Sequence, residues 1–219
     1  MIPDGIYPVY KPKGPTSYDV LREIKKIIGD RKIGHAGTLD PLATGVLVVG
    51  IGRESTKKLG EVVQKEKEYI AKIKLGAMSS TDDEEGEKTE GKIIQEPLRE
   101  EIENILKKFE GKIMQVPPIF SAIKVKGKEA YKLARQGETP ELKAREIEIK
   151  NIKIIDYLWP FLELDVVTGP GVYIRSLARD IGAGLGCGGY LAGLERIRVG
   201  QFKKDTAVTL KEFAETWHS

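Results

Sequence analysis

Asp40 is the residue best placed to do chemistry. It lies in the segment Gly34-His35-Ala36-Gly37-Thr38-Leu39-Asp40-Pro41-Leu42-Ala43-Thr44-Gly45-Val46-Leu47. Pro41 stiffens the backbone beside the acid, while Gly34, Gly37 and Gly45 permit turns that other residues resist. The apolar run Val46-Leu47-Val48-Val49 follows and reads as a buried strand or tightly packed element. One acid on a rigid loop over a buried element is how a scaffold presents a catalytic group. Taken alone, the same residues read more plainly as an Asp-Pro turn with glycines.

The elements that must hold such a loop are partly legible. A helix is expected over 17–28, capped by Thr16 or Ser17, with Val20, Leu21, Ile24, Ile27 and Ile28 on one face and Gly29 as its stop. Residues 67–75 alternate as a strand that carries Tyr69. The acidic stretch 79–91 reads as an exposed loop. A second helix is expected from Pro97 through Leu98, Ile102, Ile105, Leu106 and Phe109 to Gly111. Segments 145–156 and 161–168 read as paired strands broken at Trp159-Pro160. A third helix starts near Tyr173, with Ile174, Leu177, Ala178, Ile181 and Leu185 on a stripe, and glycine-rich 182–189 closes it. A short helical tail follows Val208-Thr209-Leu210. Strands separated by helices in irregular order indicate α+β with a mixed sheet.

With 219 residues and 40% apolar content the chain can bury a real core. No apolar run approaches the ~20 residues needed to span a bilayer. Met1-Ile2-Pro3-Asp4-Gly5 has no secretory character, and Cys187 is alone, which fits a reducing cytoplasm. Two histidines and one cysteine, widely separated, make no metal cluster, so neither metal nor cofactor is expected. Charge is abundant at 32% of residues but nearly balanced at +3. Its distribution is uneven. Ser79 to Glu110 holds eleven acids against five bases, and Ala122 to Gln136 five bases against one acid. The basic stretch reads equally as a phosphate-tracking surface or a solvated lysine face. Abundant Lys and Glu with scarce Asn, Gln, Cys and Met is a heat-adapted pattern.

Five segments in order resemble the tRNA pseudouridine synthase B family. They are Tyr10 to Ser17, Gly34 to Leu47, Lys67 to Ile70, Val116 to Lys124, and Gly171 to Asp180. The match runs from residue 10 to about 200 and is far more specific than any lone short pattern. The resemblance implies the pseudouridine synthase fold: a mixed, mostly antiparallel sheet flanked by helices, with a central active-site cleft. It implies one catalytic domain over 1–219 and an insertion at about 115–142 that closes over RNA. Many relatives continue into a small C-terminal RNA-binding domain that this sequence lacks, so affinity for the acceptor side of tRNA is expected to be lower or supplied by the tail.

The implied reaction is conversion of uridine to pseudouridine at position 55 in the T-loop of tRNA. The C1′–N1 bond breaks, the uracil turns, and C1′ joins C5, with neither oxidation nor an energy donor. An anion beside an oxocarbenium-like C1′ stabilises or traps it. By resemblance that anion is Asp40; whether it bonds C1′, bonds the base or removes a sugar proton stays open. Arg175 matches the arginine that pairs with the catalytic aspartate, near a helix N-terminus. Tyr69 matches the tyrosine that stacks on the target uracil. The uridine must be extruded to be reached, and His35 matches the residue that contacts it. Lys11 either supports the catalytic loop or reaches phosphate. Lys124, Lys126, Lys128, Lys132 and Arg135 are the expected RNA clamp.

The resemblance implies a cytoplasmic, stand-alone enzyme acting on the tRNA T-arm, with no obligatory protein partner and monomer as the default. A guide-RNA-dependent relative acting on ribosomal RNA is the rival, against which the segment Val116 to Gly137 argues. An RNA-binding folding helper is a rival from another class.

Overall fold

The computed structural model describes residues 3–91, 95–125 and 127–218. In chain order its elements begin with strand β1 (Gly5–Lys11), helix α1 (Ser17–Ile28), β2 (Ile33–Ala36), β3 (Ala43–Ile51), α2 (Arg53–Val63) and β4 (Lys67–Leu75). Next come β5 (Ala77–Ser79), β6 (Lys88–Glu90), α3 (Arg99–Leu106), β7 (Gly111–Gln115), β8 (Lys124–Val125), β9 (Lys128–Glu129) and α4 (Ala130–Arg135). The chain finishes with β10 (Arg145–Leu158), β11 (Phe161–Thr168), α5 (Ile174–Gly184), β12 (Gly189–Val199), β13 (Phe202–Lys203) and α6 (Leu210–His218). Contacts divide it into two units, Met1–Ile70 with Leu194–Ser219, and Ala71–Gly193.

Strand β3 is the spine of the first unit. β1 pairs antiparallel along one edge, from Gly5 opposite Ile51 to Lys11 opposite Gly45. The other edge takes β2 antiparallel, Ile33 opposite Ile51 to Ala36 opposite Val48, and then β12 parallel, Leu194 opposite Ala43 to Arg196 opposite Gly45. The sheet is therefore mixed. Leu47, Val49 and Ile51 pack with Val20, Ile24 and Phe213 on one face, while Val46 and Val48 pack with Leu59 and Val199 on the other. Burial on both faces explains why the sequence of β3 is a continuous apolar run rather than an alternating one.

Helix α1 has its expected bounds. Thr16, not Ser17, is the cap: its hydroxyl accepts from the Asp19 amide, and Asp19 accepts from the Thr16 amide. Such a reciprocal box contributes about 1 kcal/mol. Ser17 is thereby free to turn inward.

In the second unit, β7, β10 and β11 form an antiparallel run, with Arg145 opposite Gln115 and Leu158 opposite Phe161. The β10–β11 turn is the expected Trp159-Pro160 break, a cis peptide. Two readings of the sequence are corrected here. The stretch 79–91 is not simply an exposed loop: β5 and β6 pair antiparallel, and Asp83 is only 4% exposed. Leu98 does not join an apolar stripe but caps α3 at 64% exposure, leaving Ile102 and Leu106 as its buried face. Among the described residues no helix is long and apolar enough to cross a membrane.

Candidate active site

The loop between β2 and β3 carries Asp40, half-buried, at its turn. Every backbone carbonyl from Gly37 to Pro41 has a donor. Arg196 Nη2 reaches Gly37 O at 2.9 Å, and Nη1 reaches Thr38 O at 3.5 Å. Ser17 Oγ donates to Leu39 O at 3.0 Å and accepts from the Leu39 amide at 2.8 Å. The Ala43 amide closes a turn on Asp40 O at 3.0 Å, and the Gly14 amide takes Pro41 O at 2.8 Å. Lys11 Nζ adds a longer contact to Pro41 O at 3.5 Å and donates to Pro12 O at 2.9 Å. These bonds restrain the loop, most of all at buried Leu39, where a carbonyl left without a donor would be costly.

Gly45 shows how close the neighbouring backbone comes. Its φ is +104°, and a Cβ there would lie 2.2 Å from the Arg196 carbonyl oxygen. No other residue fits the β3–β12 approach.

Three cations are buried around this loop. Lys11 is fully buried, and burial followed by repulsion from Arg196 pulls its ammonium down to about 8, against the opposing attraction of Asp40. Lys67 is also held at about 8, by burial and then Arg196, and it donates to the carbonyls of Val63 and Lys65 just past α2. Arg196 itself is 1% exposed. His35 lies in β2 opposite Val49 rather than in a loop. Burial first, and then the Arg196 charge, depresses its pKa, while the Gly37 backbone acts weakly the other way. Its Nδ1 is buried and has no hydrogen-bond partner among the described residues. Tyr69 is buried on the inward face of β4.

The second unit holds Arg175 and the basic segment. Arg175, on the first turn of α5, is buried and ion-pairs Asp83 at 3.4 Å while donating to Thr81 O and Phe120 O. One turn on, Arg179 pairs with Asp82 at 2.8 Å and donates to Val116 O. Burial raises the Asp82 pKa, with Arg179 opposing. The Gln115 side chain holds both the amide and the carbonyl of Tyr173 at the start of α5. Both arginines thus fasten the root of the 115–142 segment to α5. Lys124, Lys128, Lys132 and Arg135 are exposed, and Arg135 and Lys132 approach the Tyr131 ring at 5.6 and 5.9 Å. Lys126 lies outside the described residues.

The structure brings Lys11, His35 and Asp40 together in one unit and sets Arg175 and the basic segment in the other. Sequence reasoning missed Arg196, Lys67 and the inward Ser17, as well as Arg179 with Asp82 and Asp83. Among the described residues no group of three His, Cys, Asp or Glu side chains has metal-binding spacing.

Comparison with known proteins bears on this arrangement. Residues 25–174 match the profile of the TruB family pseudouridylate synthase (N terminal domain), and residues 175–219 that of the tRNA pseudouridylate synthase B C-terminal domain. The chain is 43% identical over 97% of its length to tRNA pseudouridine synthase B of Clostridium tetani, covering 73% of that protein. It is 46% identical to the Streptomyces coelicolor protein of the same name, again covering 97% of this chain and 73% of that one. Among solved structures, the crystal structure of a Cbf5-Nop10-Gar1 complex superposes with a TM-score of 0.76 at 31% identity, over 98% of this chain and 54% of that one. The chain thus spans about half the length of that structural neighbour.

Proposed function

The chain belongs to the TruB family of pseudouridylate synthases, and we propose that it isomerises the uridine at position 55 in the T-loop of tRNA, unaided by guide RNA or protein partner. Family membership makes it an RNA-modifying isomerase. The observation that carries the catalytic reading is the loop around Asp40, whose backbone is bonded at every carbonyl from Gly37 to Pro41. Such a loop holds a carboxylate still while an extruded uridine is brought to it.

In this reading Asp40 meets the developing positive charge at C1′ as the C1′–N1 bond breaks. Tyr69 stacks on the detached uracil as it turns. C1′ then bonds to C5, the proton at C5 leaves to solvent, and N1, freed of C1′, takes up a proton. Arg175 is the cation proposed for the catalytic group. His35, its pKa depressed by burial, contacts the extruded nucleotide, and Lys124, Lys126, Lys128 and Arg135 track phosphate. The whole chain is taken as one catalytic domain, with 115–142 as the RNA clamp.

A reading in which the chain works within a complex is favoured by one observation, the likeness to Cbf5 in its complex with Nop10 and Gar1. The higher identity to tRNA synthases over nearly the whole chain favours the stand-alone reading. Unmodified tRNA transcript carrying tritium at uracil C5 separates them. Release of about one label per tRNA without guide RNA is expected, since each turnover at one site expels one C5 hydrogen. No release from folded protein and intact RNA would overturn the reading.

A further inference from the structure

We propose that Arg196 is a positioning residue for catalysis: its guanidinium ties the two limbs of the Asp40 loop together and thereby sets where the carboxylate stands. The proposal rests on Asp40 being the catalytic acid.

Arg196 is among the largest fully buried side chains of the protein. A buried arginine normally meets a carboxylate. The hydrogen bonds of this one go to carbonyls, and those carbonyls lie on both sides of one residue. Nη2 and Nη1 take Gly37 and Thr38, three and two positions before Asp40, and Nε takes Val46, six positions after it, at 2.8 Å. A planar fork with separate donors can bridge two limbs in this way, whereas an ammonium is a single point.

The backbone of Arg196 takes part as well. It pairs with Gly45 across β12 and β3, at an approach only glycine allows. Side chain and main chain of one residue therefore grip β3 and the loop entering it. Of the other loop donors, Ser17 at the start of α1, Gly14 just before it, Lys11 and Ala43 each hold a single residue of the loop. Among the described residues, only the Arg196 side chain spans it. Its cost to the fold is visible in Lys11, Lys67 and His35, each of which is pushed toward its neutral form partly by the Arg196 charge. A core that needed only packing would be served by an apolar residue without that repulsion.

The test uses the whole chain with Arg196→Met, which fills the space without donors, and Arg196→Lys, which keeps the charge and one point of contact. Single-turnover tritium release at saturating enzyme is measured beside tRNA affinity by filter binding, with circular dichroism as the check on folding. Arg196→Met is expected to lose about 10²-fold in rate, the scale of an ångström's misplacement of a reacting group, with affinity within a few-fold of wild type. Arg196→Lys should lose roughly tenfold, again in rate rather than affinity. Millimolar guanidinium should restore part of the rate of Arg196→Ala and leave Asp40→Asn inert.

Wild-type rates in folded Arg196→Met or Arg196→Lys overturn the proposal, as does a loss confined to affinity. Should Arg196→Met fail to fold, Arg196→Lys decides alone by the same criterion. Failure of the functional reading looks different, because wild-type protein would then release no tritium or Asp40→Asn would retain turnover.

Discussion

The Asp40 loop and the 115–142 segment solve opposite problems. In the first, each carbonyl from Gly37 to Pro41 is taken by a donor, and the cations nearby are buried and aimed at backbone. In the second, two-residue strands and a six-residue helix present exposed lysines and an exposed arginine, with Arg175 and Arg179 fastening its root at Phe120 and Val116. A reacting group must be held to a fraction of an ångström, whereas a phosphate-tracking surface works at longer range and gains from freedom to adapt. The same residue types serve both ends. Buried and bonded to carbonyls, Lys11 and Arg196 are scaffold; exposed, Lys124 and Lys128 are surface.

The division predicts graded effects. Asp40→Asn should lower turnover by on the order of 10³-fold or more, as loss of a catalytic carboxylate does, while tRNA affinity stays close to wild type by filter binding. Arg175→Lys should cost about 10²-fold in turnover, because an ammonium cannot replace a guanidinium that holds Asp83 and two carbonyls at once. Near-wild-type rates there would remove Arg175 from the catalytic group.

Ser17→Ala should destabilise the fold by about 1–3 kcal/mol, read by urea unfolding, since both polar groups of buried Leu39 lose their partner. An unchanged midpoint would mean the loop is held without it. Replacing Lys124, Lys128 and Arg135 together by Ala should leave stability alone and lessen the slope of log affinity against log salt by about two, the release expected for three lost phosphate contacts. An unaltered slope would take the segment out of the RNA interface.

Another stability effect concerns pH. Lys67 titrates at about 8 in the folded protein, below its value in the unfolded chain. Between pH 8 and its ordinary value near 10.5 the unfolded chain binds the extra proton, so Lys67 makes stability rise with pH across that window. Lys67→Met should remove the Lys67 share of the rise, leaving that of Lys11, which is also held at about 8, when urea unfolding is compared at both ends of the window; an identical pH dependence would contradict the burial of its charge.

Much of this was legible in the sequence. Helix α1, strand β4, the β10–β11 pair and helix α5 announce themselves because each puts apolar residues on one face at a fixed period. The turn that carries Asp40 was legible through its glycines and proline. Arg196 and Lys67 were not, because nothing local marks a cation that will be buried; their carbonyl partners come from other elements. The pair Asp82 and Asp83 failed to declare itself for the same reason. An acidic run looks solvated until Arg175 and Arg179, more than ninety residues away, supply the countercharge. His35 looked like a loop residue beside its glycines, yet the ladder with β3 makes it a strand, since pairing across the sheet outweighs local preference.

Single-turnover release of C5 tritium at saturating enzyme, run in parallel for wild type, Asp40→Asn and the Lys124, Lys128 and Arg135 triple variant, tests the division of labour most directly. The triple variant should reach the wild-type rate once saturated, and Asp40→Asn should bind the tRNA yet release no label above background. Turnover by Asp40→Asn, or a triple variant that stays slow when saturated, would contradict the assignment of chemistry to the rigid loop and binding to the exposed segment.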